Sequence, residues 1–248
     1  MKNLSILWNE TKLMLVMFFR DRQSIFWAYI FPAGLLILFT VLWGSKSNPA
    51  IASGMLVGVI GISVMSGGLF GIGVGVVSAR EAGIYKRYKT TPLSSWIIFA
   101  AHILTRALAL FSTILVLVLI SVIGFQVKLE MNIFASIVIV LLGIFTFCAL
   151  GFVIASFAKS IGAALGITNI LLMFMMFIGG LLPLNMLPKL LQTIARLLPI
   201  TYFRIALQLA MFERYSLLDC WKSVGILLGF LLVFSAISIK WFHWERTS

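Results

Sequence analysis

Residues 131–158 contain no charged side chain at all, and most of them are aliphatic or aromatic. At 1.5 Å per residue such a stretch is long enough to cross the roughly 30 Å hydrocarbon core of a bilayer as a helix. It has five counterparts: residues 24–45; 47–79, whose apolar part starts near Ala50; 107–127, extending back toward Trp96; 160–188; and 223–239, the shortest. In hydrocarbon every backbone polar group must be satisfied within the chain, which leaves helices or closed barrels. Barrel strands are about ten residues long with alternating hydrophobicity. These runs are much longer, so the expected fold is an all-α membrane protein with six transmembrane helices. Composition agrees: 62% of the residues are hydrophobic and 10% charged, against about 25% charged in soluble domains.

The formal charge is +12. On a soluble chain this would point to nucleic acid, but the long apolar runs exclude such a module. Basic flanks facing an anionic leaflet account for it instead. Six crossings put both termini on one side. That side would hold Lys2, Lys12, Arg20 and Arg22 at the start, then Arg80, Lys86, Arg87 and Lys89 after the second run, while the short opposite loops offer Lys46 and Lys128. The positive-inside rule then places both termini in the cytoplasm. Lys189, Arg196, Arg204, Arg214 and Lys222 run against that assignment, which rests on the short loops and the first span. The first apolar run begins behind a long charged stretch, so the N-terminus is read as retained rather than as a cleaved signal. Cys148 and Cys220 have neither metal-ligand spacing nor good prospects as a disulfide, and His102 and His243 are too few for a zinc cluster.

Residues 1–22 read as an amphipathic interfacial helix. Leu4, Leu7, Trp8, Met14, Leu15 and Phe18 recur at helical spacing opposite Lys2, Ser5, Asn9 and Lys12, with Leu13, Val16 and Met17 off the stripe. In the second run Gly54 and Gly58, and then Gly67, Gly71 and Gly75, stand four apart. This small-residue spacing lets helices approach closely, in packing within the subunit or at a seam between subunits. Between the fifth and sixth spans, residues 184–220 read as short outer helices, two of them starting near Pro188 and Pro199. They are expected at the outer surface or dipping partly into the membrane.

Catalytic signals are weak or absent. No two carboxylates share a span, and no G-x-S-x-G, H-E-x-x-H, C-x-x-C or Walker loop occurs, so the chain has no ATP site of the Walker kind. His102 and Arg106 form an i, i+4 pair near the start of the third span. They are the candidates for an ion- or proton-coupled carrier, although an Arg there most simply snorkels to the interface. The densest polar stretch is 80–94, with Glu81 near a helix start, Lys86, Arg87 and Lys89 near its end, and Thr91-Pro92 as a cap and first-turn pair. A short rigid helix held between two spans is shaped to dock in a groove of another protein.

The pattern Glu81-x-Gly83 and Thr91-Pro92-Leu93-Ser94 after a glycine-rich span resembles the membrane subunits of ABC type-2 exporters. So do Gly179-Gly180-x-x-Pro183, Leu187-Pro188 and Leu198-Pro199-Ile200-Thr201-Tyr202, in that order. The resemblance covers the whole chain and implies one transmembrane domain, 1–248. It implies that residues 80–92 are a cytoplasmic coupling helix, with Glu81, Gly83, Tyr85, Lys86, Arg87 and Pro92 contacting a separate ATPase subunit. Two such ATPase subunits would bind ATP and magnesium, and a second membrane subunit, identical or related, would complete the exporter in the plasma or inner membrane. The substrate class it implies spans drugs, antibiotics, lipids, polysaccharides and ions. An apolar path or dimer seam formed by Gly67, Gly71, Gly75, Met173, Phe174, Phe177, Gly179 and Gly180 favours an amphipathic or lipid-like one. The rivals are a secondary carrier using His102 and Arg106, and a scaffold or membrane enzyme.

Overall fold

The structure is a computed structural model describing residues 2–43, 49–84, 95–180 and 188–241. All regular structure among these residues is helical: α1 (Lys2–Arg20), α2 (Arg22–Ile25), α3 (Phe31–Trp43), α4 (Pro49–Gly68), α5 (Gly75–Glu81), α6 (Ser95–Phe125), α7 (Ile133–Phe157), α8 (Ile161–Met175), α9 (Lys189–Ala195), α10 (Pro199–Phe212) and α11 (Trp221–Trp241). Three wide π turns interrupt them, at Phe26–Ile30, Leu69–Val74 and Met176–Gly180.

Among the described residues six helices are long and apolar enough to cross a membrane: Arg22–Leu42, Ala52–Glu81, Ala100–Phe125, Ile133–Phe157, Ile161–Gly180 and Trp221–Trp241. They fall on the six runs read from the sequence. The π turn in the first span has a local cause. Pro32 has no N–H to give and its ring crowds the carbonyl four residues back, so the preceding turn opens and Phe31 N–H bonds the Phe26 carbonyl instead.

Burial divides the spans into two kinds. The second and fourth are 83% and 72% buried over their most apolar windows, whereas the fifth is 17% buried. The inner pair meets backbone to backbone. A Cβ on Gly68 would lie 2.5 Å from the Phe147 carbonyl carbon, one on Gly151 2.5 Å from the Gly68 oxygen, and one on Gly73 3.3 Å from the Gly151 oxygen. Without Cβ atoms the two helices gain dispersion contacts that larger residues would forbid. Gly68 and Gly73 stand five apart, yet share one face because the π turn between them carries i to i+5 periodicity.

α9 and α10 meet at 87°. The corner follows from Pro199, which drives Leu198 into extended geometry and then supplies a first-turn residue without an N–H. Thr201 Oγ1 donates to the Ala195 carbonyl at 2.6 Å and Tyr202 Oη to the Arg196 carbonyl at 2.7 Å, satisfying the exposed end of α9. Beyond the corner, α10 does not stay at the periphery. Phe203 is fully buried, its ring edge-on to Phe147 at 6.4 Å and seated on Gly143, and Ile200 lies 3.1 Å from where a Gly61 Cβ would be. The Asn132 amide donates to the Ala210 carbonyl at 2.9 Å, fixing the far end of α10 to the start of the fourth span.

α1 packs lengthwise on α6, with Thr11 buried and Leu7, Met14 and Phe18 half-buried. Leu4 and Trp8, assigned to one stripe with these residues from the sequence, instead point outward with Leu13, Val16, Met17 and Phe19. The helix thus has two apolar faces, one against protein and one free, which is why the residues off the stripe are apolar too.

Candidate functional site

The second span ends in two adjacent opposite charges that grip the junction of spans four and five. The Arg80 guanidinium donates to the carbonyls of Ala155 (3.2 Å), in the last turn of α7, and Ala158 (2.5 Å), its C-cap, where a helix leaves carbonyls without partners of its own. The carboxylate of Glu81 accepts from the amide of Ile161, the first residue of α8, at 3.3 Å. A cation therefore meets the negative end of one helix dipole and an anion the positive end of the next. Ser160 between them caps α8, its hydroxyl accepting from Ala163 N–H. Motion of the end of the second span is mechanically tied to the turn joining the fourth and fifth.

Gly83 closes the span. Its φ of +68° lies in the left-handed region, and its N–H bonds back to the Arg80 carbonyl, the arrangement in which glycine commonly terminates a helix. The expected coupling residues Tyr85, Lys86, Arg87 and Pro92 lie outside the described residues.

The residues proposed for a path or seam separate into four groups. Gly67 and Gly71 face the third span of the same chain: a Cβ on Gly67 would meet Leu110 at 2.9 Å, and one on Gly71 would collide with the Arg106 side chain. Gly75 has open space apart from the Phe70 carbonyl. Gly179 and Gly180 are buried under the α9–α10 corner, where a Cβ on Gly179 would stand 2.6 Å from Thr201 Oγ1 and 2.9 Å from Ile200. Arg204 donates to the Gly179 carbonyl at 3.5 Å. Met173, Phe174 and Phe177 are exposed and point away from the chain, together with Ile170.

Arg106, half of the carrier alternative, does not extend freely to the interface. It lies beneath α1, crossing Gly71, with its guanidinium 5.7 Å from the Phe18 ring centre. His102 stands one turn earlier on the same helix.

Sequence reasoning missed Gly68, Gly73 and Gly151, because a search at four-residue spacing cannot see contacts across a π turn. It also missed Gly143 and Phe203, because an insert that is apolar throughout resembles any other apolar helix.

These features fall within known sequence relationships. The family model described as ABC-2 family transporter protein matches residues 38–240. A relative from Bacillus subtilis (strain 168), named "Putative transport permease YvfS", is 25% identical over 227 residues, covering 88% of this chain and 89% of the relative. The match takes in the gripping pair at Arg80 and Glu81, the inner glycine contact and the α9–α10 corner, and the chain belongs to the ABC-2 family, as a membrane permease subunit of an ABC transporter.

Proposed function

We propose that this chain is the permease of an ATP-driven exporter, paired with a second membrane subunit and served by two separate ATPase subunits that bind ATP and magnesium. The observation that carries the reading is the grip of Arg80 and Glu81 on the junction of spans four and five. A segment at 80–92 moved by an ATPase would pull not on one helix but on three. The basic residues beside this junction, including the exposed Lys159, favour the cytoplasmic side for it and for both termini. α1 then lies in the inner leaflet's interface with its free apolar face toward lipid.

The outward face of Ile170, Met173, Phe174 and Phe177 is the surface offered to a second subunit or to cargo. These four side chains are apolar, which favours an amphipathic or lipid-like substrate. ATP binding would shift the population between inward- and outward-open arrangements by closing the two ATPase subunits.

The test is co-purification in detergent with the co-expressed ATPase, comparing the native chain with Glu81→Ala plus Arg87→Ala. Recovery of the ATPase with the native chain, and its loss with the double variant, supports the reading. Failure of the native chain to bind any ABC ATPase refutes it.

A further inference from the structure

A cavity of about 310 Å³ lies between α1 and the third span, lined by Met14, Met17, Phe18, Asp21, Ser24, His102, Thr105 and Arg106. It has no part in the grip or in the outward face of the fifth span. Its lining carries one cation, Arg106, and one carboxylate, Asp21, and the two are not paired with each other. Among the described residues Arg106 has no carboxylate within ion-pair distance; it lies against the Phe18 ring and crosses Gly71. The carboxylate on the rim, Asp21, is already engaged: it caps α2, accepting from the amides of Gln23 and Ser24 and from the Ser24 hydroxyl at 2.5 Å. Arg20 and Arg22, both exposed, flank it in the chain. A half-buried cation among apolar side chains is costly unless an anion meets it.

The surroundings say where that anion comes from. Met17, in the lining, is exposed, and its neighbours in α1, Leu13 and Val16, are exposed apolar residues too. A small soluble anion would make no use of the Met14, Met17 and Phe18 wall, whereas a lipid would lay its acyl chains along it. A zwitterionic headgroup carries its own cation, so fixed positive charge selects a headgroup with net negative charge. We infer that this cavity holds the phosphate headgroup of an anionic phospholipid from the leaflet in which α1 lies, with Arg106 as its principal donor, His102 beside it, and the tails along α1. The inference is independent of transport direction and cargo.

The test is native mass spectrometry of the complex with its ATPase, after equilibration with equal amounts of phosphatidylglycerol and phosphatidylcholine. The native complex is expected to retain phosphatidylglycerol preferentially. Arg106→Gln is expected to cut that retention by about fivefold, the size of one basic side chain's pull on an anionic lipid, while Arg106→Lys restores most of it. Met17→Glu places a carboxylate at an exposed position of the lining without touching the core and is expected to lower retention as well, so it decides the matter if Arg106→Gln fails to assemble. Lys128→Gln, on an exposed loop beyond the third span, serves as the unaffected control. The inference is overturned if the native complex shows no preference, if Met17→Glu and any assembled Arg106→Gln retain phosphatidylglycerol as the native complex does, or if inorganic phosphate at matched concentration displaces the lipid, which would make the site one for a soluble anion.

Discussion

Arg80 Nη2 donates to the carbonyl of Ala158 at 2.5 Å, across 78 positions of sequence, and so fastens the end of one membrane span to the end of another. A charge-assisted contact of this kind contributes about 1.5–3 kcal/mol. Arg80→Gln is expected to lower the unfolding free energy of the purified subunit by about 2 kcal/mol, and Arg80→Lys to recover part of it, because an ammonium cannot reach two carbonyls as a guanidinium fork does. Glu81→Gln, at an exposed contact, is expected to cost less than about 1 kcal/mol. Denaturant titration in detergent ranks the three; equal losses would show that the grip is not centred on Arg80.

Gly151 tests the inner seam. A methyl group there would fall 2.5 Å from the Gly68 oxygen, and backbone cannot move aside as a side-chain end can. Gly151→Ala is expected to destabilise by about 1–3 kcal/mol through overpacking. Gly225→Ala, with nothing within 4 Å, is expected to leave the melting temperature unchanged or raise it slightly.

Phe203 fills the space over Gly143. Phe203→Ala is expected to destabilise by about 3 kcal/mol, and Gly143→Ala also, since the added methyl would strike the ring. Combined, Gly143→Ala and Phe203→Leu are expected to lose less than the sum of the single changes, the signature of two residues sharing one volume. Additive losses in a double-mutant cycle would contradict this packing.

Asp219 supplies a pH dependence. The hydroxyl and amide of Ser216 hold its carboxylate, at 2.7 and 2.8 Å, and keep its pKa below the ordinary 3.8. The charged form is the one favoured by folding, so its contribution is complete above pH 3.8 and fades as the pH falls through the lower folded value. Asp219→Ala is expected to reduce thermal stability at neutral pH and to lose that deficit in strong acid. A deficit that persists unchanged at low pH would point to another role for the side chain.

The sequence was legible where a span declares itself by length and lack of charge, as in all six crossings, and where a proline marks a break, as between α9 and α10 at Pro199. It was less legible where packing depends on phase or on distant partners. Gly67, Gly71 and Gly75 gave a regular stripe, but the tightest contact runs through Gly68 and Gly73, because the chain widens between them. The α10 insert could not be told from a surface helix, since lipid and protein interior ask for the same side chains. Nor could Arg80 be matched to Ala158, because nothing near residue 158 records which cation will cover its carbonyl.

A wide turn stores one residue more than the helix around it requires. For Leu69–Val74 that surplus acts as a phase setting. Every residue beyond it is rotated by about 100° from where an uninterrupted α-helix would carry it. The aim of Arg80 toward Ala158 is therefore decided several residues earlier, inside the membrane, by how many residues are wound into that turn. Shortening the second span there by one residue would leave its hydropathy and length almost untouched, yet would point its charged end away from the helices it holds.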